Sequence, residues 1–278
     1  MFFRLPNVPA LAHAFFRPDR AAPQTAYRRS AAMAGLLGEL YAQLRPRDDD
    51  LPGRIPRLRL SVGTVDELEL VAEGIRVDWD LGNHPIDDLT ALMEQHHIVV
   101  APINDKPART GSFSTWIGNV PWLFPVASVG MPAQPRLDAA HELGHLIMHT
   151  SQDVGTASAE RQAETFALAF LMPRRALEFS SLRITEPTLM DLKRMWGVPM
   201  AALVKRGYGL GLIAEASYRR SHAKLNRAAY RAHEPAEPTL ERPQTLSTIV
   251  EAARQEGTLD DALLAVGWPK SLLQDLVG

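Results

Sequence analysis

The run His141-Glu142-Leu143-Gly144-His145 constrains the fold of this 278-residue chain more than any other stretch of its sequence. On an α-helix, residues four apart differ in direction by only about 40° and lie about 6 Å apart along the axis, so the two histidines face the same side. The surrounding residues are apolar: Ala139, Ala140, Leu143, Leu146 and Ile147. The pattern predicts a buried helix over residues 135–149, whose imidazoles and carboxylate need partners.

The same spacing is typical of a metal site. Two imidazoles on adjacent turns can close on one ion, and zinc held by two histidines, one carboxylate and water is a common catalytic arrangement. Glu142 lies roughly 100° round the helix from His141, where it can reach water without being a ligand. We therefore predict that His141 and His145 bind one zinc ion, or another divalent metal, and that Glu142 is the catalytic residue.

The third ligand is expected from the helix predicted over residues 157–171. Glu160 and Glu164 are four residues apart there and so share a face. We predict that Glu160 binds the metal and that Glu164 orients a motif histidine through its ring N–H, as carboxylates often do beside metal-bound histidines. Spacing alone leaves the opposite order open. His149 lies about 12 Å along the helix from His141, too far to share the ion, and we place it among the residues that support the ligands.

Composition excludes several other classes of protein. The chain has no cysteine, which rules out disulfides, thiolate metal sites and cysteine nucleophiles. Its net charge of −2 gives no reason to expect a nucleic-acid-binding surface over the whole molecule. No stretch reaches the roughly 18 apolar residues of a membrane span, and prolines and charges interrupt the start of the chain before a signal-peptide core forms. We expect a cytoplasmic protein.

Hydrophobic periodicity predicts a mostly helical chain with a small sheet. The predicted strands are residues 98–103, 113–117 and 120–129, and the prolines at 121 and 125 make the last one an edge strand or an interrupted one. The remaining predicted helices are 25–44, 64–75, one after Pro85, 187–195, 199–206, 211–224, 244–255, 259–265 and 268–276.

The last strand precedes the motif helix and could accept an extended peptide by strand addition. Trp116 and Trp122 would then line a substrate groove, although they fit two core positions equally well. Charged and proline-rich linkers suggest four parts in the chain. These are an irregular and helical segment (1–55), the core that carries the motif (56–180), a helical extension (181–235) and a linker with a small helical segment (236–278).

Longer stretches of sequence around the motif are also similar to a known family of proteins. Arg136 to His149 and Glu160 to Pro173 are similar to two consecutive helices of the ImmA/IrrE family of metallopeptidases, and the first includes the trailing histidine. Glu164 stands where the family usually has Asn or Asp. Further similar stretches are Pro85 to Leu89, Ser112 to Trp116 and Trp196 to Val198. The resemblance covers about residues 84–235.

The resemblance implies an α+β fold, with a mostly helical, zincin-like metallopeptidase core, a small three-stranded sheet beside the motif helix and a helical C-terminal tail. It also implies a zinc-dependent endopeptidase that cleaves a helix-turn-helix repressor and so relieves transcriptional repression under stress. Longer members often begin with a helix-turn-helix domain. Residues 1–24 show no such pattern, so we expect a form without it, and we expect neither direct nucleic-acid binding nor membrane association.

Two other interpretations stay open. The first is a zinc-binding regulatory or sensor protein, in a transcription or toxin–antitoxin-like system, that cleaves little. Glu142 argues against it, because a structural zinc site closes its fourth position with another ligand and needs no such carboxylate. The second is a DNA-associated regulator that uses the basic residues of the helical tail: Lys193, Arg194, Lys205, Arg206, Arg219 and Arg220.

Overall fold

The computed structural model describes residues 14–16, 24–45, 55–58, 63–102, 111–126, 131–177, 185–225, 234–268 and 273. The strands are β1 (Phe15–Phe16), β2 (Val99–Val100), β3 (Phe113–Ile117) and β4 (Val120–Phe124). The helices of the first half are α1 (Gln24–Leu44), α2 (Val65–Asp78), α3 (Leu89–Gln95) and α4 (Ala133–Met148). Those of the second half are α5 (Ala157–Leu171), α6 (Arg174–Leu177), α7 (Glu186–Trp196), α8 (Met200–Gly209), α9 (Glu215–Leu225), α10 (Thr245–Glu256) and α11 (Leu259–Val266).

The fold is α+β and mostly helical, as predicted, and the three predicted strands are present in one sheet. The helix predicted at 268–276 and the outer ends of two predicted strands fall largely outside the described residues. Every other predicted helix is present. Polar side chains fix several helix starts by accepting hydrogen bonds from the first turn, which the sequence pattern anticipates. These N-cap residues are Thr64, Asp88, Thr156 and Thr185.

The sheet has four strands in the order β1-β3-β4-β2. β3 pairs antiparallel with β4, β2 pairs parallel with β4, and the two-residue β1 adds to the free side of β3. Of the two alternatives for the strand after Val120, the edge strand is therefore wrong, because β4 lies between two neighbours, whereas the strand does stop at Phe124, before Pro125. Its prolines are tolerated because β2 pairs only with Trp122 and Leu123, and Pro121 and Pro125 flank that stretch.

The two faces of the sheet contact different helices, because successive side chains of a strand point to opposite sides. Ser114 and Trp116 of β3 face α4 and hydrogen-bond to it. On the other face, Trp122 and Phe124 of β4 pack with α1, α10 and α11 in a separate buried cluster. The first and last described helices therefore cover the side of the sheet that is opposite to the motif helix.

Helices α4 and α5 approach each other closely at Gly144. A Cβ atom on this residue would lie 2.9 Å from Cδ1 of Phe166 and 3.2 Å from Cα of Ala163, both on α5. Contacts below about 3.0 Å force a shift, and a backbone atom cannot easily move away. The glycine therefore sets the distance between the two helices, at the position between His141 and His145.

Gly144→Ala is expected to destabilise the protein although alanine favours helices. The gain in helix propensity is about 1 kcal/mol, whereas forcing a methyl group into a packed contact usually costs about 1–3 kcal/mol. Urea unfolding of the variant and of the wild type measures the net change in the free energy of unfolding. Gly74→Ala is the matched control, because Gly74 lies inside α2 and a Cβ there meets nothing within 4 Å. A Gly144→Ala protein as stable as the Gly74→Ala protein would contradict the close approach.

The proline-rich segment 234–245 runs along the N-termini of three helices and caps them with carboxylates. Glu234 accepts a hydrogen bond from the N–H of Met200 at the start of α8, and Glu237 accepts one from Ala133 at the start of α4. The prolines that precede these helices make no side-chain cap, so the carboxylates satisfy N–H groups that would otherwise have no acceptor in the helix. Glu241 does the same for the start of α3.

Buried cations neutralise these carboxylates. Lys193 of α7 is fully buried, and its Nζ lies 2.7 Å from Glu234 and 2.6 Å from Glu237. Arg136 of α4 binds Glu241 and also the backbone carbonyls of Ile86 and Asp87. The segment therefore holds the first turns of the motif helix from outside.

None of the described helices is long and apolar enough to cross a lipid bilayer.

Candidate metal centre

Helix α4 carries the motif through the middle of the protein. His141, Glu142 and His145 are all buried, with at most 6% of their surface exposed. The helix lies between the sheet on one side and α5 on the other. This position explains why the sequence surrounds the motif with small and aliphatic residues, since they contact protein on almost every side.

Three side chains converge on one point between α4 and α5. The Nε2 atoms of His141 and His145 are 3.1 Å apart. The carboxylate of Glu160 lies 3.3 Å from the first through Oε2 and 3.5 Å from the second through Oε1. These residues form a group that could hold a metal ion. Two atoms that each lie about 2.0–2.1 Å from a tetrahedral zinc ion are about 3.4 Å apart, so the observed separations fit such an ion.

Glu164 lies away from this group. Its carboxylate forms an ion pair with Nζ of Lys205 on α8 and is substantially exposed. The prediction that Glu164 orients a motif histidine is therefore wrong. Glu160 and Glu164 do share a helix face, but one turn shifts the second carboxylate about 6 Å along the axis, and there it meets α8.

His149 and Gln162 form a chain of contacts behind His145. The Nδ1 atoms of His145 and His149 are 2.9 Å apart, and Nε2 of His149 lies 2.9 Å from Oε1 of Gln162 on α5. Burial lowers the pKa of the His149 imidazole and so favours its neutral form. The structure thus places His149 next to a predicted ligand, as expected. Sequence reasoning missed Gln162, although a buried polar residue two positions after Glu160 was a signal.

Ser114 on β3 holds the carboxylate of Glu142. Its hydroxyl donates a hydrogen bond of 2.7 Å to Oε2 of Glu142, and both residues are at most 1% exposed. This hydrogen bond fixes the orientation of the buried carboxylate. Sequence reasoning missed this residue as well. The available signal was a small polar residue at an inward-facing position of a buried strand.

The two tryptophans that were predicted to line a substrate groove have different surroundings. Trp122 is 1% exposed and packs edge-to-face with Tyr41 of α1, at a ring-centre distance of 5.3 Å, on the sheet face opposite to α4. Trp116 donates its indole N–H to the carbonyl of Leu146, and the guanidinium of Arg57 stacks on its ring. The assignment of Trp122 as a substrate-binding residue is therefore wrong, whereas Trp116 is half-buried and its assignment stays a prediction.

A cavity of about 270 Å³ opens beside the candidate metal ligands. His141 and Glu142 line it, together with Asp138, which lies one turn earlier on α4. The remaining lining residues are Gly111, Ser112, Val126, Gln134 and Pro135. Its volume is about that of a side chain with part of the backbone of a peptide, and the motif residue Glu142 is among the residues that line it.

Comparison with known families agrees with this geometry. Residues 93–207, from α3 to α8, match the family model described as the IrrE N-terminal-like domain of the M78 peptidases. These residues belong to the ImmA/IrrE family of metallopeptidases. The matched range contains every residue of the His141–His145–Glu160 group and both residues that support it, His149 and Gln162. No curated protein matches the chain significantly.

The match supports metallopeptidase activity in general terms, and the convergent group is where a metal ion could fit. The ImmA/IrrE resemblance drawn from the motif helices is thereby confirmed. The donor atoms of the group are two imidazole nitrogens and a carboxylate, a set that suits divalent metals of the zinc type.

Proposed function

We propose that this protein is a zinc endopeptidase of the His-Glu-x-x-His type that cleaves a helix-turn-helix repressor and so relieves transcriptional repression. The observation that carries the proposal is the convergence of His141, His145 and Glu160 next to a buried, oriented Glu142. A structural zinc site has no use for that fourth residue.

The ligand set supports zinc as the metal. His141 and His145 would bind it through Nε2, and Glu160 would bind it through its carboxylate. Zinc held there would supply Lewis-acid polarisation of a water molecule and of the scissile carbonyl. Glu142 lies at the wall of the same cavity and is not part of the convergent group.

The side chains of this protein would handle the protons. The Glu142 carboxylate accepts a proton from the attacking water and passes it to the leaving amine, as a general base and then a general acid. Ser114 keeps the carboxylate facing this position through its hydrogen bond to Oε2. Holding the carboxylate in place before the reaction removes part of the ordering cost from the chemical step.

The choice of a repressor as substrate rests on the family to which residues 93–207 belong. The charges of the chain itself favour a protein substrate over DNA. Five of the six basic residues of the helical tail form ion pairs with carboxylates among the described residues. The pairs are Lys193–Glu234, Arg194–Asp191, Lys205–Glu164, Arg206–Glu69 and Arg219–Glu215. Neutralised residues attract phosphate weakly.

The test is direct cleavage. The zinc-loaded protein is incubated with candidate helix-turn-helix repressors from the same genome, and the products are measured by intact mass. We expect two fragments that arise from a single cut, and we expect 1,10-phenanthroline to prevent their formation. An intact repressor after incubation with fully loaded protein would contradict the proposal and favour a regulatory protein that binds zinc and cleaves little.

A further inference from the structure

A line of polar side chains leads from the candidate metal centre into the interface between α4 and α5. It begins at Nδ1 of His145, passes through the imidazole of His149 and ends at Oε1 of Gln162, with both contacts at 2.9 Å. His149 and Gln162 are only 8% and 7% exposed. The two helices joined by this line are the same two that carry the candidate ligands.

With both imidazoles neutral, the chemistry of these atoms allows one arrangement of hydrogens along the line. The amide oxygen of Gln162 can only accept, so Nε2 of His149 must carry the hydrogen. A neutral imidazole has one donor and one acceptor nitrogen, which makes Nδ1 of His149 the acceptor. Nδ1 of His145 must then carry its hydrogen and donate it, and this places the lone pair of the ring on Nε2, the atom that lies 3.1 Å from Nε2 of His141.

We propose that His149 and Gln162 are positioning residues that hold His145 in the tautomer whose Nε2 lone pair faces the metal. The proposal rests on the proposed function, because it takes His145 to be a metal ligand. A histidine that ligates metal usually donates its other ring N–H to a carboxylate, a carbonyl or water. Here a second imidazole takes that place, and an amide on the neighbouring helix fixes it.

The arrangement also fixes the orientation of the ring. Rotation of the His145 ring about its axis would break the contact with His149 and would move Nε2 away from His141 and Glu160. Without the acceptor, the imidazole can adopt the other tautomer, in which a hydrogen on Nε2 faces the ligand group and must be lost before metal binds. Gln162 therefore acts on the metal through two other residues, without touching it.

The first measurement uses the wild-type full-length protein freed of metal. Long-range ¹H–¹⁵N NMR spectra distinguish the two neutral tautomers of each histidine. We expect His145 to carry its hydrogen on Nδ1 and His149 on Nε2, and we expect Gln162→Leu to remove the preference of His149. A hydrogen on Nε2 of His145 in the wild-type protein would overturn the proposal.

The second measurement is the zinc Kd, obtained by competition with a chromogenic chelator. Loss of a residue that supports a metal ligand typically weakens affinity by about 10–100-fold, and we expect a change of this size for His149→Leu and Gln162→Leu. His149→Asn keeps an acceptor oxygen at the position of Nδ1, so its Kd should lie closer to that of the wild type. Gln255→Leu, on the exposed surface of α10, is the matched control and should change the Kd by less than about twofold.

The two proposals can fail separately. The positioning role of His149 and Gln162 is wrong if His149→Leu and Gln162→Leu fold and bind zinc as tightly as the wild type. It is also wrong if the zinc Kd of His149→Asn is as high as that of His149→Leu. If the wild-type protein binds no zinc, the proposed function is wrong. The tautomers of the metal-free protein then still decide whether His149 and Gln162 hold the His145 ring in one tautomer.

Discussion

Glu142→Gln is expected to abolish repressor cleavage while the protein still binds about one zinc ion per chain. Glutamine has the same shape, and its amide oxygen can still accept the hydrogen bond from Ser114, so the helix and the ligands stay in place. It cannot accept a proton from water. General acid–base catalysis typically contributes about 10²–10⁴-fold, and we expect a loss at the upper end because no other described carboxylate lies at that wall except Asp138, one turn away.

Metal analysis and cleavage rates of the same preparation separate the two roles. His141→Ala is the matched control, since it removes a ligand and should lose both the zinc and the activity. Cleavage by the Glu142→Gln protein at the wild-type rate would show that another group handles the proton. Loss of zinc from that variant would show that Glu142 is a ligand and not a catalytic residue.

Lys193→Met is expected to have the largest effect on stability. Lys193 is completely buried and neutralises two carboxylates, Glu234 and Glu237, which cap α8 and the motif helix α4. Methionine has a similar length but no charge, so both carboxylates would remain buried without a counterion. Removal of one partner from a buried ion pair typically costs about 3–5 kcal/mol.

The free energy of unfolding, measured in urea, tests this expectation. Lys224→Met is the matched control, because Lys224 pairs with Glu186 on the surface and half of its side chain is exposed. Exposed pairs contribute about 0–1 kcal/mol. The triple variant Lys193→Met, Glu234→Gln, Glu237→Gln should recover part of the loss, since the amide oxygens still cap the helices. Equal effects of Lys193→Met and Lys224→Met would contradict a structural role for the buried cluster.

The parts of the fold that depend on neighbouring residues could be predicted from the sequence. Helix α5 has the predicted bounds, because Thr156 caps its start and Pro173 follows its end. The motif helix and strand β3 could be predicted equally well, since periodicity and turn residues are local signals. The convergence of His141 and His145 also follows from local geometry, because four residues bring two side chains onto one face of any helix.

Contacts between elements could not be predicted in this way. Trp122 has the same strand pattern whether it faces a groove or a core, and only the packing of α1 on that face of the sheet decided between them. The prolines of β4 suggested an edge, but the partner strand is short enough to avoid them. Ser114 and Gln162 act on residues of α4 from β3 and α5, and no spacing within the chain relates them.

The sequence by itself determined which functional groups are available for a metal site. These are two histidines on one helix face and a carboxylate beside them, with no thiol in the chain. The tertiary structure decided which carboxylate completes the group. Glu160 and Glu164 are equivalent on an isolated helix, but the contact at Gly144 sets how α5 lies against α4. In that arrangement Glu160 reaches the histidines, and Glu164 pairs with Lys205. The reason is physical, since the rotation and height of a helix are set by what it packs against and not by its own residues alone.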